Sequence, residues 1–215
     1  RITRKDQKPL VLPRVNFSTT SGLVQALKNP AVNVRSHSAH LLVKKGKEAI
    51  GPVHGFLQEV SGEPVLQARA LWVLAQISEQ GEQLVENFLH DEDEKLQVVA
   101  YRALRHADPM GTLARAKKYA ESKNLFLRRE IAVSLHGIAF EDCSSILESL
   151  VDGYDGINRF YLEALGVAFH GKEQQVYDDL VSKRFPEPSS WAWKAKNLAW
   201  RLHTHRAIRD LDLCI

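Results

Sequence analysis

The sequence predicts an all-α fold and, within that class, a right-handed α-solenoid of about six two-helix repeats. The first observation is a series of five leucines spaced 32, 30, 31 and 30 residues apart: Leu42, Leu74, Leu104, Leu135 and Leu165. The second is an aliphatic residue eight positions before each leucine: Val34, Leu66, Leu96, Leu127 and Ile157. A period of about 30 to 45 residues with helical apolar spacing indicates stacked helical hairpins, because one hairpin cannot bury its own apolar face.

The third observation is a polar residue seven positions before each leucine: Arg35, Gln67, Gln97, Arg128 and Asn158. It falls at the start of every predicted second helix. We therefore expect a structural ladder in which each of these side chains hydrogen-bonds the turn of the preceding unit. In solenoids the second helices line the concave surface, so this surface is where a ligand is expected.

The predicted units cover residues 17–46, 47–79, 80–108, 109–140, 141–171 and 172–215. In the first unit, residues 18–21 offer N-caps for one helix, and Pro30 separates it from a second helix over 33–45. In the second unit, glycines bracket a helix that carries Ile50 and Phe56, and its partner covers residues 63–79. In the third unit, helices over 82–90 and 93–106 flank an acidic cluster, which suits the start of a helix.

The fourth unit pairs a helix that carries Ala116 with a second helix over 124–140, and the fifth pairs 143–151 with a helix from about Asp155 to His170. The sixth unit departs from the period, because Leu202 follows Leu165 by 37 residues. Terminal units of a repeat array are expected to be atypical, since one of their faces meets solvent or another domain.

Composition sets broad limits on the class of protein. The chain of 215 residues is 44% apolar and 26% charged, as in ordinary globular proteins, and no apolar run approaches the roughly 20 residues that cross a bilayer. We expect one domain and no membrane span. Because the chain begins at Arg1 and its only methionine is Met110, we also expect it to be a piece of a longer protein.

Positive charge is concentrated at the start of the chain. The net charge is +3, from 29 Lys and Arg against 26 Asp and Glu. Residues 1–14 contribute +4, because they hold five basic residues and only Asp6, so the remainder sums to −1. Residues 1–16 contain Pro9 and Pro13 without a helical period, and are predicted to be an extended leader. A near-neutral folded part disfavours nucleic-acid binding, which depends on neutralising phosphates.

Motifs for metals, cofactors or catalysis are weak or missing in the sequence. Cys143 and Cys214 are 71 residues apart and are not expected to form a disulfide, and no Cys-x-x-Cys pair occurs. His37 and His40 could chelate a metal in principle, but no third ligand is nearby in the sequence. No phosphate-binding loop or hydrolase motif occurs. We therefore expect no catalytic, metal or cofactor site.

Residues 154–166 form the least generic stretch. Leu162, Leu165 and Ile157 are assigned to the repeat core, whereas five aromatic and charged residues are not required by the period: Tyr154, Asp155, Arg159, Phe160 and Glu163. These five are candidate interaction residues. A buried ion pair of Arg159 with Asp155 or Glu163 is an equal alternative.

Three tryptophans in the sixth unit, Trp191, Trp193 and Trp200, mark it as the predicted docking end. Trp191 and Trp193 diverge by about 200° around a helix, so they cannot both face the same neighbour. One of them is expected to be exposed or covered by the leader. Both are candidate interaction residues, and the expected partner is a further domain of the intact protein or a second copy of the chain.

The unit pattern, as in residues 32–42, resembles HEAT repeats of the lyase-associated type over residues 17–171. Residues 154–166 and 67–74 are similar to the helical region of the large membrane-bound dehydrogenase proteins of planctomycetes and related bacteria. Those proteins join a sugar-dehydrogenase-like propeller, a helical array and a haem-binding cytochrome c domain. The sequence has Ile157, Asn158 and Phe160 where that family has Lys, Asp and Trp.

The resemblance implies a non-enzymatic scaffold between a propeller and a cytochrome domain of an exported or periplasmic bacterial redox protein. No activity is carried over, because the chain holds neither the propeller nor a Cys-x-x-Cys-His motif. The alternative is a HEAT-like DNA glycosylase for alkylated bases, which grips a duplex with tryptophans and basic residues. Its candidate residues here would be Trp191, Trp193, Arg128, Arg129, Lys194 and Lys196.

Overall fold

A computed structural model describes residues 14–214, and within them the fold is all-α, without strands. The extended leader predicted for residues 1–16 lies almost entirely outside the described residues. Contacts group the chain into two compact units, of which the first ends at Leu84 and the second begins at Val85. No helix among residues 14–214 is long and apolar enough to cross a membrane.

The first unit holds two helical hairpins. Its helices are α1 (Thr20–Ala26), α2 (Val32–Lys45), α3 (Ile50–Glu59) and α4 (Pro64–Ile77), followed by α5 (Glu79–Glu86), which contains the boundary. Within the hairpins α1 packs on α2 and α3 on α4, and between them α1 packs on α3 and α2 on α4. The two hairpins are therefore stacked in register.

The second unit is also built of helices alone. Its helices are α6 (Glu94–Ala107), α7 (Thr112–Tyr119), α8 (Leu125–Ser134), α9 (Phe140–Asp152), α10 (Arg159–Phe169), α11 (Glu173–Val176), α12 (Ser182–Arg184), α13 (Trp193–Leu202) and α14 (His205–Asp212). The second helices pack in succession, α6 on α8, α8 on α10 and α10 on α13, while α9 packs on α7 and α11.

Side chains at the predicted positions start several helices. Thr19 caps α1 by accepting a hydrogen bond from the backbone N–H of Gly22, and Asp93 caps α6 through the N–H of Lys95. Asn124 and Asn158 cap α8 and α10 in the same way. These caps satisfy N–H groups that have no partner within the helix.

The five leucines of the period lie in the cores of the two compact units, two in the first and three in the second. Each is fully buried: Leu42, Leu74, Leu104, Leu135 and Leu165. The third residue of each second helix is apolar and precedes the leucine by eight positions in α2, α4, α6 and α8. In α10 the third residue is Tyr161, only four positions before Leu165. The fifth repeat therefore starts its second helix one turn late.

Several predicted boundaries and one core assignment are wrong. The helix predicted over 124–140 ends at Ser134, before Gly137, whose φ of 76° lies in the left-handed region. The helix predicted from about Asp155 begins at Arg159 instead. Ile157, which was assigned to the core, is consequently outside the helix and 82% exposed.

In the predicted sixth unit, the helix before α13 is not continuous. It is divided into α11, a π-helical turn over Tyr177–Val181, and α12. A turn over Pro188–Ser190 then leads to α13. Cys143 and Cys214 are both free thiols, in agreement with the absence of a predicted disulfide.

Candidate functional site

The turn before α10 is held by two short polar side chains. The Asp155 Oδ1 accepts hydrogen bonds from the backbone N–H groups of Ile157 and Asn158, each at 2.8 Å. The Asn158 Oδ1 accepts from the N–H of Tyr161 at 2.9 Å. The two N–H donors hold the pKa of the Asp155 carboxyl below its ordinary value. Asp155 thus shapes the turn, and its charge favours the start of the helix.

Tyr154 belongs to the core rather than to an exposed surface, which corrects the sequence-based assignment. Its ring stacks on Tyr161 with centroids 5.8 Å apart and planes 6° apart. The Tyr161 hydroxyl donates to the Leu150 carbonyl at 2.9 Å. Burial raises the pKa of both phenols, that of Tyr161 to about 12.

Helix α13 docks against the same turn. Asn197 Nδ2 donates to the Gly156 carbonyl at 2.8 Å. A Cβ at Gly156 would lie 3.0 Å from Lys194, and the φ of Gly156 is 84°. Both the conformation and the close approach require glycine at this position. The turn and α13 therefore form one packed junction.

A cavity of about 420 Å³ opens at this junction. Its lining comes from the turn, α10 and α13: Tyr154, Ile157, Arg159, Leu162, Glu163, Asn197 and Trp200. Three of the candidate residues, Tyr154, Arg159 and Glu163, are therefore brought together.

Arg159 pairs with Glu163, but the pair is exposed, so the alternative of a buried ion pair is wrong. The Arg159 Nε lies 3.7 Å from Glu163 Oε1, and the Arg159 side chain is mostly exposed. The Arg201 Nε lies 3.3 Å from the other oxygen of Glu163. Exposed pairs of this kind contribute little to stability, so the pair is a surface feature.

Phe160 lies on an adjacent surface, where it is 70% exposed. The guanidinium carbon of Arg129 is 5.3 Å from the centroid of the Phe160 ring and 5.9 Å from that of Phe126. Arg129 is thus held between two aromatic rings of α8 and α10, a cation–π arrangement that fixes its position.

The tryptophans are divided between core and surface. Trp191 is only 7% exposed, and its indole Nε1 donates to the Phe185 carbonyl at 2.9 Å. Trp193 is 72% exposed and Trp200 is 53% exposed. These two are seven residues apart on α13, which puts them on the same side of the helix. One of Trp191 and Trp193 was expected to be exposed, and Trp193 is that residue, whereas Trp191 is no contact residue because its indole lies in the turn before α13.

The polar ladder forms in a different direction from the one expected. Arg35 donates to the Pro30 carbonyl at 2.6 Å and Gln97 to the Asp91 carbonyl at 2.7 Å, both in the turn of their own unit. Arg128 donates to the Gly153 carbonyl at 3.0 Å, in the following unit. Other residues bond the preceding unit: Asn124 donates to the Glu94 carbonyl at 2.9 Å, and Arg69 to the Leu27 carbonyl at 2.6 Å.

The basic residues considered for DNA binding are mostly engaged within the fold. Lys194 donates to the Asp152 carbonyl at 2.9 Å, and Lys196 to the Cys214 carbonyl at 3.4 Å. Arg128 is engaged by Gly153, as described. Arg129 is the exception, since its contacts are the two rings. Among residues 14–214 no group of three His, Cys, Asp or Glu side chains could hold a metal ion.

Sequence reasoning missed the roles of Ile157, Asn197 and Trp200 in the cavity and the partnership of Phe126 with Arg129. The spacing of seven residues between Trp193 and Trp200 was a usable signal, because it puts both on one side of a helix. Phe126 and Arg129 are three residues apart, which makes them neighbours on one helix. No sequence signal marked the cavity contacts, since they depend on how α10 and α13 pack.

No family model, no curated protein and no solved structure matches the chain. A function for the chain therefore has to be inferred from its own residues and their geometry.

Proposed function

We propose that the chain is a non-enzymatic protein-interaction module, a right-handed α-solenoid of HEAT-like repeats that binds partners through its second helices. Support for the repeat comes from the five buried leucines and from the stacking of successive second helices within each compact unit. In such an array the second helices share one binding surface. The role is that of an interdomain or intermolecular scaffold.

The observation that carries this proposal is the exposed apolar surface at the end of the second unit. Ile157, Phe160, Trp193 and Trp200 are all more than half exposed, and Ile157 and Trp200 flank the cavity between α10 and α13. Large apolar side chains grouped on a surface mark interaction sites, and tryptophan is enriched among residues that dominate binding. Arg159 and Glu163 supply a polar rim.

The proposed setting follows the resemblance to dehydrogenase proteins of planctomycetes. The partner would be a propeller or cytochrome domain of the same bacterial redox protein, in an exported or periplasmic location, or a second copy of the chain. The DNA glycosylase alternative has less support, because Trp191 is buried and three of its four candidate cations donate to backbone carbonyls.

Site-specific photo-crosslinking tests the proposal. A benzophenone amino acid is placed at Trp193, or at the 92% exposed Met110 as a control, in the protein expressed in its native cells. We expect ultraviolet light to produce one discrete protein adduct from position 193 and none from 110. Equal or absent adducts at the two positions would contradict a binding surface on α13.

A further inference from the structure

Five arginines and two glutamates follow one another across the second helices of the second unit. We refer to them as the arginine row: Arg102, Arg105, Glu130, Arg129, Arg159, Glu163 and Arg201. At one end, Glu130 of α8 accepts from Arg102 at 2.6 Å and lies 3.4 Å from Arg105, both on α6. At the other end, Glu163 lies between Arg159 and Arg201, as described. Each glutamate thus lies beside two arginines, so each group of three side chains has a net charge of +1.

Arg129 lies between these two groups and has no acid of its own. Among residues 14–214, no carboxylate is within ion-pair distance of its guanidinium, and its buried Nε has no hydrogen-bond partner. Phe126 and Phe160 hold it in place. A guanidinium with fixed geometry and unused donors is suited to a planar carboxylate, which it can bind with two parallel hydrogen bonds.

The positive charge of the row is local. Residues 85–215 contain 18 Lys and Arg against 20 Asp and Glu, a net charge of −2. The row itself has five arginines against two glutamates. A local excess within a slightly acidic unit favours a partner that is acidic at one place, whereas a nucleic acid needs many phosphate contacts spread over a basic surface.

A recess with a mixed apolar and charged lining lies next to Arg129. It has a volume of about 200 Å³; the apolar part of its lining is Val98, Phe126, Val133 and Ala164, and the charged part is Arg102, Arg129 and Glu130. This is smaller than the roughly 300 to 1,000 Å³ of ordinary small-molecule sites. The recess therefore suits one apolar side chain of a larger partner.

We propose that the face formed by α6, α8 and α10 binds an acidic protein segment. One Asp or Glu of that segment pairs with Arg129, and an apolar side chain close to it enters the recess. The inference rests on the proposed function, which it narrows to a partner of stated charge.

A random peptide library displayed on phage, selected against the purified chain, tests this proposal. Bait proteins are the wild type, Arg129→Gln, Arg129→Lys and Arg209→Gln; Arg209 is an exposed arginine of α14 that serves as the matched charge control. Melting curves confirm that each variant is folded. We expect wild type and Arg209→Gln to select peptides in which an acidic residue adjoins an apolar one.

Binding of the selected peptides is then measured by fluorescence anisotropy. Arg129→Gln should weaken it about tenfold or more, as expected for loss of a charge-assisted pair, and Arg129→Lys should restore only part of it. Peptides that lack acidic residues, or equal losses in Arg129→Gln and Arg209→Gln, would overturn the inference but leave protein binding intact.

Two further outcomes would also overturn the inference. If the library yields no binding peptide, this inference is overturned, whereas the proposed function is judged by crosslinking at position 193. A labelled DNA duplex is also tested for binding to the wild type and to Arg129→Gln. If the duplex binds, the binding depends on Arg129 and no peptide binds, the ligand of this face is a nucleic acid and the inference is overturned.

Discussion

Tyr161 occupies the third position of its helix, where the other second helices up to α8 carry a branched aliphatic residue. Its ring adds area to the core, but its hydroxyl must find an acceptor there, and the Leu150 carbonyl provides it. The stacked Tyr154 closes the space over it. A core contact of this type fixes the turn before α10 and, through it, the cavity.

The Tyr161→Phe substitution measures this hydrogen bond. It leaves the buried Leu150 carbonyl without its donor, so we expect the free energy of unfolding to fall by about 1 kcal/mol at neutral pH. Chemical denaturation followed by circular dichroism gives this value. An unchanged free energy of unfolding would show that the hydroxyl is not required.

The same variant should change the response to alkaline pH. The pKa of Tyr161 is about 12 in the folded chain and about 10 in an unfolded one, so the folded state binds the phenolic proton more tightly. This contribution to stability is complete below about pH 10 and is lost as the pH rises through about 12. We expect Tyr161→Phe to lose stability less steeply between these values than the wild type. The stability of the variant will still fall with rising pH, because burial also raises the pKa of Tyr101 and Tyr154.

The Leu104→Ala substitution tests the leucine period. Leu104 is fully buried in α6, and truncating a buried leucine costs about 2 to 5 kcal/mol through lost burial and the cavity left behind. Leu213, which is 63% exposed, provides a matched control, and Leu213→Ala should change stability by less than about 0.5 kcal/mol. Similar melting temperatures for the two variants would contradict the assigned register.

At the scale of helices, the sequence was sufficient to predict elements whose apolar pattern repeats. The period of the leucines predicted α2, α4, α6 and α8, because in each of these helices the third residue lies eight positions before the leucine. The start of α10 could not be predicted from the period, because Asp155 and Asn158 bind nearby N–H groups and hold the preceding residues in a turn. Ile157 is exposed for this reason.

The candidate site was predictable only in part. Arg159, Phe160 and Glu163 were proposed because the period does not require them, and all three lie at the surface. Tyr154 was proposed on the same ground but packs on Tyr161, and of Trp191 and Trp193, one of which was expected to be exposed, Trp193 is the exposed one. Arg129 was named only as a candidate cation for DNA binding; its place between Phe126 and Phe160 could not be predicted, because it depends on how α8 and α10 pack.

A comparison of two helix caps tests how repeats are joined. Asn124 and Asn158 both cap a second helix, but Asn124 also donates to Glu94 and Gln97 of the preceding repeat, each at 2.9 Å. Loss of a cap costs about 1 kcal/mol. We expect Asn124→Ala to cost about 1 kcal/mol more than Asn158→Ala, because two part-buried hydrogen bonds to the preceding repeat are lost as well. Equal losses in chemical denaturation would mean that the contacts between repeats add nothing.

At the scale of the whole molecule, the position of the charges indicates the class of binding partner better than the net charge does. Residues 1–14 account for the positive net charge, since the rest of the chain sums to −1. The arginine row is a local exception within residues 85–215. A partner recognised by this row therefore meets positive charge at one place and near-neutral surface elsewhere, which favours an acidic protein segment over a long polyanion.

Binding to duplex DNA provides the test at this scale. We expect no affinity tighter than the non-specific range of roughly 10⁻⁴ to 10⁻⁶ M at physiological salt, because the chain after residue 14 lacks the basic excess needed to release many counterions. Fluorescence anisotropy with a short labelled duplex, repeated over a series of salt concentrations, measures both affinity and salt dependence. A control in which Arg1, Arg4, Lys5 and Lys8 are replaced by Gln separates the contribution of the leader. Nanomolar binding with a steep salt dependence that survives this replacement would favour the glycosylase over the scaffold, because the helices alone would then supply the phosphate contacts.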